Sequence, residues 1–295
     1  MPGILASYPL INVTTEAYIA PHSLLFDTYG GNGNHFFAGS ESEIGIFDIN
    51  RSGQGPMSRM KTIPSRRKKI VGGGVGMKGI VSALALSSNG MLAAGTFGRW
   101  VGLYGSGGRG DMAGVFEMCK NTKDEHGVEE GTGVTQLLWS SCGSYLCVVE
   151  RGSDGIGVWD VRSTGKRLSW LRGRKAKTMQ RLGAEVVRDE VWAGGTDGYV
   201  RVWAGLGMVE GNVDPSWMFQ ASSDAVASAT LHPSGIVLAT CSGQRRAEDE
   251  DEDLDSGGPP DYDHPVRPPK VYSNQVNVWS LDKEDPMAGN NPPEP

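Results

Sequence analysis

Arginine and lysine side chains crowd a few short stretches of this chain. Arg66, Arg67, Lys68 and Lys69 form one run, and Arg172, Arg174, Lys175 and Lys177 form another. Arg99, Arg151, Arg181 and the pair Arg245/Arg246 stand apart from them. Such side chains neutralise phosphates, and a guanidinium can also stack on a base or read its edge with two hydrogen bonds. Phe97, Trp100 and Tyr199 lie close by in sequence and offer stacking platforms for unpaired bases. A single loop arginine is ordinarily a solvated charge. The set carries meaning only if the fold gathers it.

Other chemistries find less support. Gly74-Val75-Gly76-Met77-Lys78-Gly79 matches the glycine fingerprint of dinucleotide sites, but the alternating segment after it reads as a strand and not a helix. Met77 before Lys78 also breaks a phosphate-loop pattern. The five histidines and four cysteines show no metal-ligand spacing, and no nucleophile elbow appears. No catalytic residue, metal or cofactor is expected.

The 43 glycines and 16 prolines imply many tight turns rather than long helices. No apolar run is long enough to span a membrane as a helix. The net charge of −6 is unevenly spread. Residues 247–295 hold 13 acidic and 3 basic side chains, a local balance of −10, which leaves +4 on residues 1–246. A mildly basic body permits an anionic partner.

Five segments repeat one order: an apolar strand, a turn, a second strand, then an alternating strand closing on an aromatic. The closing residues are Phe47, Tyr104, Trp159, Trp203 and Trp279, spaced by 57, 55, 44 and 76 residues. A unit of about 40–45 residues with insertions accounts for these intervals. Alternation at period two marks short antiparallel strands, and four such strands per unit describe a propeller blade. The expected fold is an all-β WD-repeat propeller of about five blades over residues 22–63, 78–119, 133–172, 179–220 and 224–281. Trp159-Asp160 is the one true WD pair; Trp203 and Trp279 keep the aromatic alone. These residues, with His22 as a blade hydrogen-bonding group, are expected to be structural. The N-terminal MPGILASYPLI reads as an outer strand, either closing the ring on the fifth blade or left over from a longer propeller. The second reading is preferred, and it leaves an incomplete ring. An acidic insertion over residues 245–273 and a tail over residues 283–295 are expected to be disordered.

In a four-stranded blade, the second-to-third turns and the blade-to-blade connections emerge on the same face. Arg99, Arg151 and Arg245 fall in or beside such turns. Arg66, Arg67, Lys68, Lys69, Arg174, Lys175 and Arg181 fall in such connections. The topology therefore predicts a basic rim, for which the acidic insertion after Arg246 would compete with RNA.

The stretch MKGIVSALALSSNGMLAAGTFGRWVGLY, with PHSLLF before it and LHPSGIVLATCSGQR after it, resembles the telomerase Cajal body protein family. Gly98-Arg99, Gln180-Arg181 and Ser242-Gly243-Gln244-Arg245 are more specific than a generic WD repeat, and the likeness runs from about Tyr8 to Leu281. It implies a fungal-type member that is shortened at its N-terminus, a non-enzymatic scaffold that binds small Cajal-body RNAs or telomerase RNA. It adds Gln244 to the candidate RNA-contacting residues. It further implies ribonucleoprotein partners, a chaperonin for folding, and a nuclear-body location away from membranes. A protein-binding adaptor in a spliceosomal or other nuclear complex is the competing reading.

Overall fold

A computed structural model describes residues 3–29, 33–63, 76–118, 131–164, 166–243 and 274–281. The expected disordered insertion and tail lie outside these residues. The described chain is all-β, and its twenty strands form five sheets.

Blade 1 holds β1 (Ser23–Phe26), β2 (His35–Ser40), β3 (Glu43–Asp48) and β4 (Ser58–Lys61). Blade 2 holds β5 (Val81–Leu86), β6 (Leu92–Thr96), β7 (Trp100–Tyr104) and β8 (Met112–Glu117). Blade 3 is built from β9 (Val134–Trp139), β10 (Tyr145–Glu150), β11 (Gly155–Asp160) and β12 (Ser169–Arg172). Blade 4 takes β13 (Ala184–Val187), β14 (Glu190–Gly194) and β15 (Tyr199–Ala204), then β17 (Trp217–Gln220) after the excursion β16 (Gly211–Val213). Blade 5 has β18 (Val226–Leu231), β19 (Val237–Ser242) and β20 (Gln275–Ser280). Consecutive strands within each blade pair antiparallel. Among the described residues, no strand pairing joins blade 1 to blade 5.

Each blade-to-blade interface owns an apolar cluster. Phe37, Ile44 and Met77 meet Val81 and Leu92 between the first two blades, and Val101, Leu103 and Phe116 meet Leu137, Leu146 and Trp159 between the next two. Ile156 and Leu171 meet Ala184 and Trp203, while Trp192 and Val200 meet Val226 and Leu238. Tyr104, Trp159, Trp203 and Trp279 lie in or against these seams, whereas Phe47 packs with Leu10 and Ala38. Trp159 stacks on Phe116 with ring centroids 5.6 Å apart. The Trp203 indole N–H donates to Arg172 O at 3.3 Å, and that of Trp279 donates to Thr240 Oγ1 at 2.9 Å. The large rings need flat ground. Gly155 and Gly157 supply it in β11, where a Cβ would collide with the rings of Trp170 and Trp159. Asp160 closes its own turn, accepting from the Arg162 backbone N–H at 2.9 Å and from its guanidinium at 2.9 and 2.7 Å.

The innermost strands have no sheet partner toward the axis, and side chains join them instead. Ser23 Oγ donates to Val81 O at 2.8 Å, and Ser82 Oγ donates to Val134 O at 2.6 Å. Gln136 both donates to Ala184 O (2.8 Å) and accepts from Ala184 N (2.9 Å). Glu185 accepts from Leu231 N at 2.8 Å, and burial raises its carboxyl above the usual range.

Two features depart from the sequence expectation. The N-terminal segment is not an outer strand of a sheet. It turns at Asn12, whose side chain accepts from the N–H groups of Thr14 and Thr15, and returns so that Ile19 N bonds Leu10 O. Leu10 is thereby buried against Ala38 and Phe47, and Tyr8 meets Phe36 edge-on at 5.2 Å. Apolar burial on blade 1 wins over strand pairing here. The second departure is β16, which leaves blade 4 and pairs parallel with β12 of blade 3.

Replacing Gln136 with leucine would strand the N–H and C=O of Ala184 between blades 3 and 4. Unfolding in urea should show a loss of about 1–3 kcal/mol with an unchanged slope; a midpoint equal to that of the parent would contradict the cross-blade role. The thiols give a second test. Cys147 is fully buried and its thiol is pushed up to about 12, whereas exposed Cys142 is held below the ordinary value, chiefly by the Ser140 hydroxyl. Because the thiolate is the reactive form, iodoacetamide at pH 8 should modify Cys142 in native protein carrying Cys119→Ser and spare Cys147 until denaturant is added. Mass spectrometry of the peptides reads the order.

Candidate nucleic-acid interface

Every second-to-third turn with described neighbours is hydrogen-bonded to a blade-to-blade connection. Ser42 N bonds Gly79 O at 2.9 Å, and Phe97 N bonds Ile80 O at 3.1 Å. Arg151 N bonds Gly133 O (2.9 Å) while Gly152 N bonds Thr178 O (3.1 Å). Thr196 N bonds Lys175 O at 2.8 Å, and Gly243 N bonds Ala225 O at 2.8 Å. Turns and connections therefore form one continuous face. Arg99, Arg151, Arg174, Lys175 and Arg181 all belong to it. Arg66, Arg67, Lys68, Lys69, Gln244 and Arg245 lie outside the described residues.

The local setting of each cation differs. Arg99 adopts a left-handed backbone (φ 65°) in the blade 2 turn, and its guanidinium grips the buried carboxylate of Glu150 at 2.6 and 3.2 Å. Next to Glu150 along the chain, Arg151 lays its guanidinium over the Phe97 ring, 4.9 Å from the centroid. Phe97 is 36% exposed, so the Phe97–Arg151 pair forms a platform at the surface. Lys175 keeps an exposed ammonium 3.6 Å from Asp197. Arg181 donates to Thr135 O at 2.7 Å and borders a cavity of about 290 Å³ between the inner strands, with Ser23, Ser82 and Gln136.

Arg174 departs from the expectation. It is 1% exposed, and its guanidinium donates to the carbonyls of Gly194 (3.2 Å), Leu182 (2.8 Å) and Gly183 (3.1 Å). Burial lowers its pKa to about 10. The side chain points down into the blade 3–4 seam, where it satisfies carbonyls that no strand reaches, and it is closed to a ligand. His22 departs as well. Its backbone N–H bonds Gly39 O at 2.8 Å, but the exposed side chain lines the axial cavity and makes no blade hydrogen bond among the described residues. It precedes β1 on the axial side, away from the seams where the tryptophans lie.

The carboxylates were not anticipated. Asp197 accepts from Arg201 at 2.9 and 2.6 Å; burial works to raise its carboxyl, but Arg201, the Tyr199 N–H and Lys175 together hold it below the usual range. Asp154 accepts from Ala176 N at 2.8 Å and faces Lys177 at 3.5 Å. The repeated Ser153-Asp154-Gly155 and Thr196-Asp197-Gly198 were the available signal, since an acid before glycine recurs in equivalent turns. With Glu150, these acids alternate with the cations. The face carries a patterned charge and not a uniform one. No group of metal-binding side chains occurs among the described residues.

No protein-family model matches the chain. It is 33% identical over 208 residues to the guanine nucleotide-binding protein negative regulator 1 of Schizosaccharomyces pombe, covering 70% of this chain and 48% of that protein. It is 29% identical over 231 residues to telomerase Cajal body protein 1 of Bos taurus, covering 77% of this chain and 38% of that protein. The chain thus spans about half or less of the length of these curated relatives. Among solved structures, the β-propeller domain of Cps50 (Swd1) from Myceliophteria thermophila superposes with a TM-score of 0.53 at 14% identity, covering 75% of this chain and 62% of that one. That likeness concerns the fold alone. The repeated blades, the buried Trp159 and Trp203 and the named relatives together make this chain a WD-repeat β-propeller protein and a homologue of the telomerase Cajal body proteins.

Proposed function

We propose that this chain is a non-enzymatic scaffold that binds a small nuclear RNA of the Cajal-body class, or telomerase RNA, on the rim described above. The observation that carries the reading is the Phe97–Arg151 platform, 4.9 Å between guanidinium and ring centroid, set among Arg99, Lys175 and Arg181. Unpaired bases stack on aromatic and guanidinium planes, and the neighbouring cations serve the phosphates. The alternating acids favour a ligand whose phosphates are spaced to avoid them, which fits a folded loop better than a uniform polyanion. The name of the Bos taurus relative supports both the RNA class and a nuclear-body location. Ribonucleoprotein proteins are the expected partners on the remaining surfaces, and a chaperonin is the expected folding factor.

A second reading is a protein-binding adaptor. The Schizosaccharomyces pombe relative is named as a regulator of a guanine nucleotide-binding protein. In that case the same rim would take an acidic protein segment.

Titration with a Cajal-body small RNA and with a scrambled RNA of equal length separates the two. Arg151→Ala should weaken binding of the first RNA about 5- to 150-fold, as loss of one stacked base contact does. Arg181→Ala should flatten the salt dependence by about 0.7 in the slope of log affinity against log salt, the value for one phosphate contact on a single strand. Equal, weak affinity for both RNAs, unmoved by either substitution, would favour the adaptor.

A further inference from the structure

The inner strands β1, β5 and β9 all start on the face that carries the rim, and the cavity of about 290 Å³ lies among their first residues. Ser23 opens β1, Ser82 is the second residue of β5, and Arg181 belongs to the connection that leads into β13. The cavity therefore sits at the rim end of the axis, where three blades meet.

Its charge differs from that of the rim around it. On the rim Glu150 binds Arg99, and Asp197 stands beside Lys175. The residues lining the cavity include no acid, and its ionisable groups are the Arg181 guanidinium and the His22 imidazole. Arg181 is exposed yet tethered, because one nitrogen donates to Thr135 O at 2.7 Å, and no carboxylate among the described residues pairs with it. The exposed imidazole of His22 faces the same space. A held guanidinium with donors to spare suits an anion of several acceptor oxygens, a phosphate above all.

The rest of the lining asks for more than a phosphate. Leu24 is 67% exposed, and with Leu84 it gives the cavity an aliphatic wall. The hydroxyls of Ser23 and Ser82 already donate to Val81 O and Val134 O, so toward a ligand they offer lone pairs only. The matching ligand is an anion at one end and, at the other, a body with apolar faces and N–H donors at its edge. A nucleotide combines these parts. The volume stands at the low end of the range for small-molecule sites, roughly 300–1,000 Å³, and admits one such ligand. We propose that the axial cavity binds a single nucleotide, its phosphate on Arg181 and His22 and its base against Leu24, with N–H groups turned toward Ser23 and Ser82. An acidic protein segment, residues 248–255 of this chain included, fits less well, since its side chains bring only acceptors to serine oxygens that cannot donate. The nucleotide comes from one of two sources, free in solution or unpaired within a bound RNA. Only the second rests on the RNA reading.

Photo-crosslinking of the full chain tests the site. The probes are 4-thiouridine and 6-thioguanosine, each as the free monophosphate and at unpaired positions of a Cajal-body RNA. The label should fall on residues 21–24 or 82–84, read by mass spectrometry of the peptides. Labelling by the monophosphate names the free source, and labelling by the RNA alone names the bound one. Leu24→Asp, which sets a carboxylate in the cavity, should cut the labelling about 10-fold or more; if that variant fails to fold, the position of the label in the parent still decides. Competition supplies the chemistry: a nucleoside monophosphate should displace the label at concentrations about 10-fold or more below those of ribose 5-phosphate, which has no base to stack. Equal competition by ribose 5-phosphate or inorganic phosphate makes this a plain anion site and overturns the proposal. Label confined to Phe97 and its neighbours overturns it too, because the nucleotide then lies on the rim platform. Label that appears in the cavity only after deletion of residues 247–255 makes the chain's own acidic segment the occupant, and the proposal falls. RNA binding that depends on Arg151, with no label in the cavity from either source, ends this proposal and leaves the RNA reading standing. A cavity labelled by the monophosphate in a chain without affinity for the RNA does the reverse.

Discussion

A propeller blade cannot finish its own hydrogen bonding at the axis. The inner strand of each sheet has an edge with nothing to pair against, because the next blade meets it at an angle and face to face. In this chain the deficit is met by side chains of β1, β5, β9 and β13, which reach the backbone of the following blade. Gln136 is the most complete case, since its amide satisfies one donor and one acceptor of Ala184. These bonds are few beside the apolar seams, but they set the angle at which one blade follows another. The position of every loop on the rim depends on that angle. A slip in the seam between blades 3 and 4 would separate Gly152 from Thr178 and Lys175 from Asp197 together.

Arg174 extends the same logic outward. A buried guanidinium is costly unless its donors are met, and here three carbonyls from the connection and from β14 meet them. The backbone carbonyl of Arg174 then accepts from Arg201 at 3.3 Å, and Arg201 holds Asp197. One buried cation therefore organises the acids and bases that surround Lys175. What looks like surface charge on this side is anchored from below.

The parts of the structure legible in the sequence were those with local causes. The closing aromatics Trp159, Trp203 and Trp279 declared their strands, because an alternating run ending on a large ring has one economical placement in a blade. The common face of Arg99 and Arg151 was legible for the same reason, since strand order alone decides on which side a turn emerges. Long-range pairings were not legible. Nothing near Arg174 in the sequence shows that Leu182, Gly183 and Gly194 leave carbonyls unpaired beneath it. The segment at Leu10 alternates like a strand, yet the apolar surface of Phe36, Ala38 and Phe47 was the stronger attraction. β16 is three residues long and follows two glycines and a methionine, too short a signal for any periodicity.

The ion pairs also decide how selective such a rim can be. A rim of unpaired arginines would hold any polyanion, with affinity set by charge count and lost steeply in salt. Here Glu150 sequesters much of the Arg99 charge, and Asp197 is shared between Arg201 and Lys175. A passing polyanion meets repulsion at each of these carboxylates, so much of the indiscriminate attraction is cancelled. The Arg151 guanidinium is different: it rests on a neutral ring, 4.9 Å from the Phe97 centroid. Fixing Glu150 in place through Arg99 also fixes the next residue, Arg151, over Phe97. The buried pair thus removes charge from the rim and orients the group that remains, trading strength of attraction for shape.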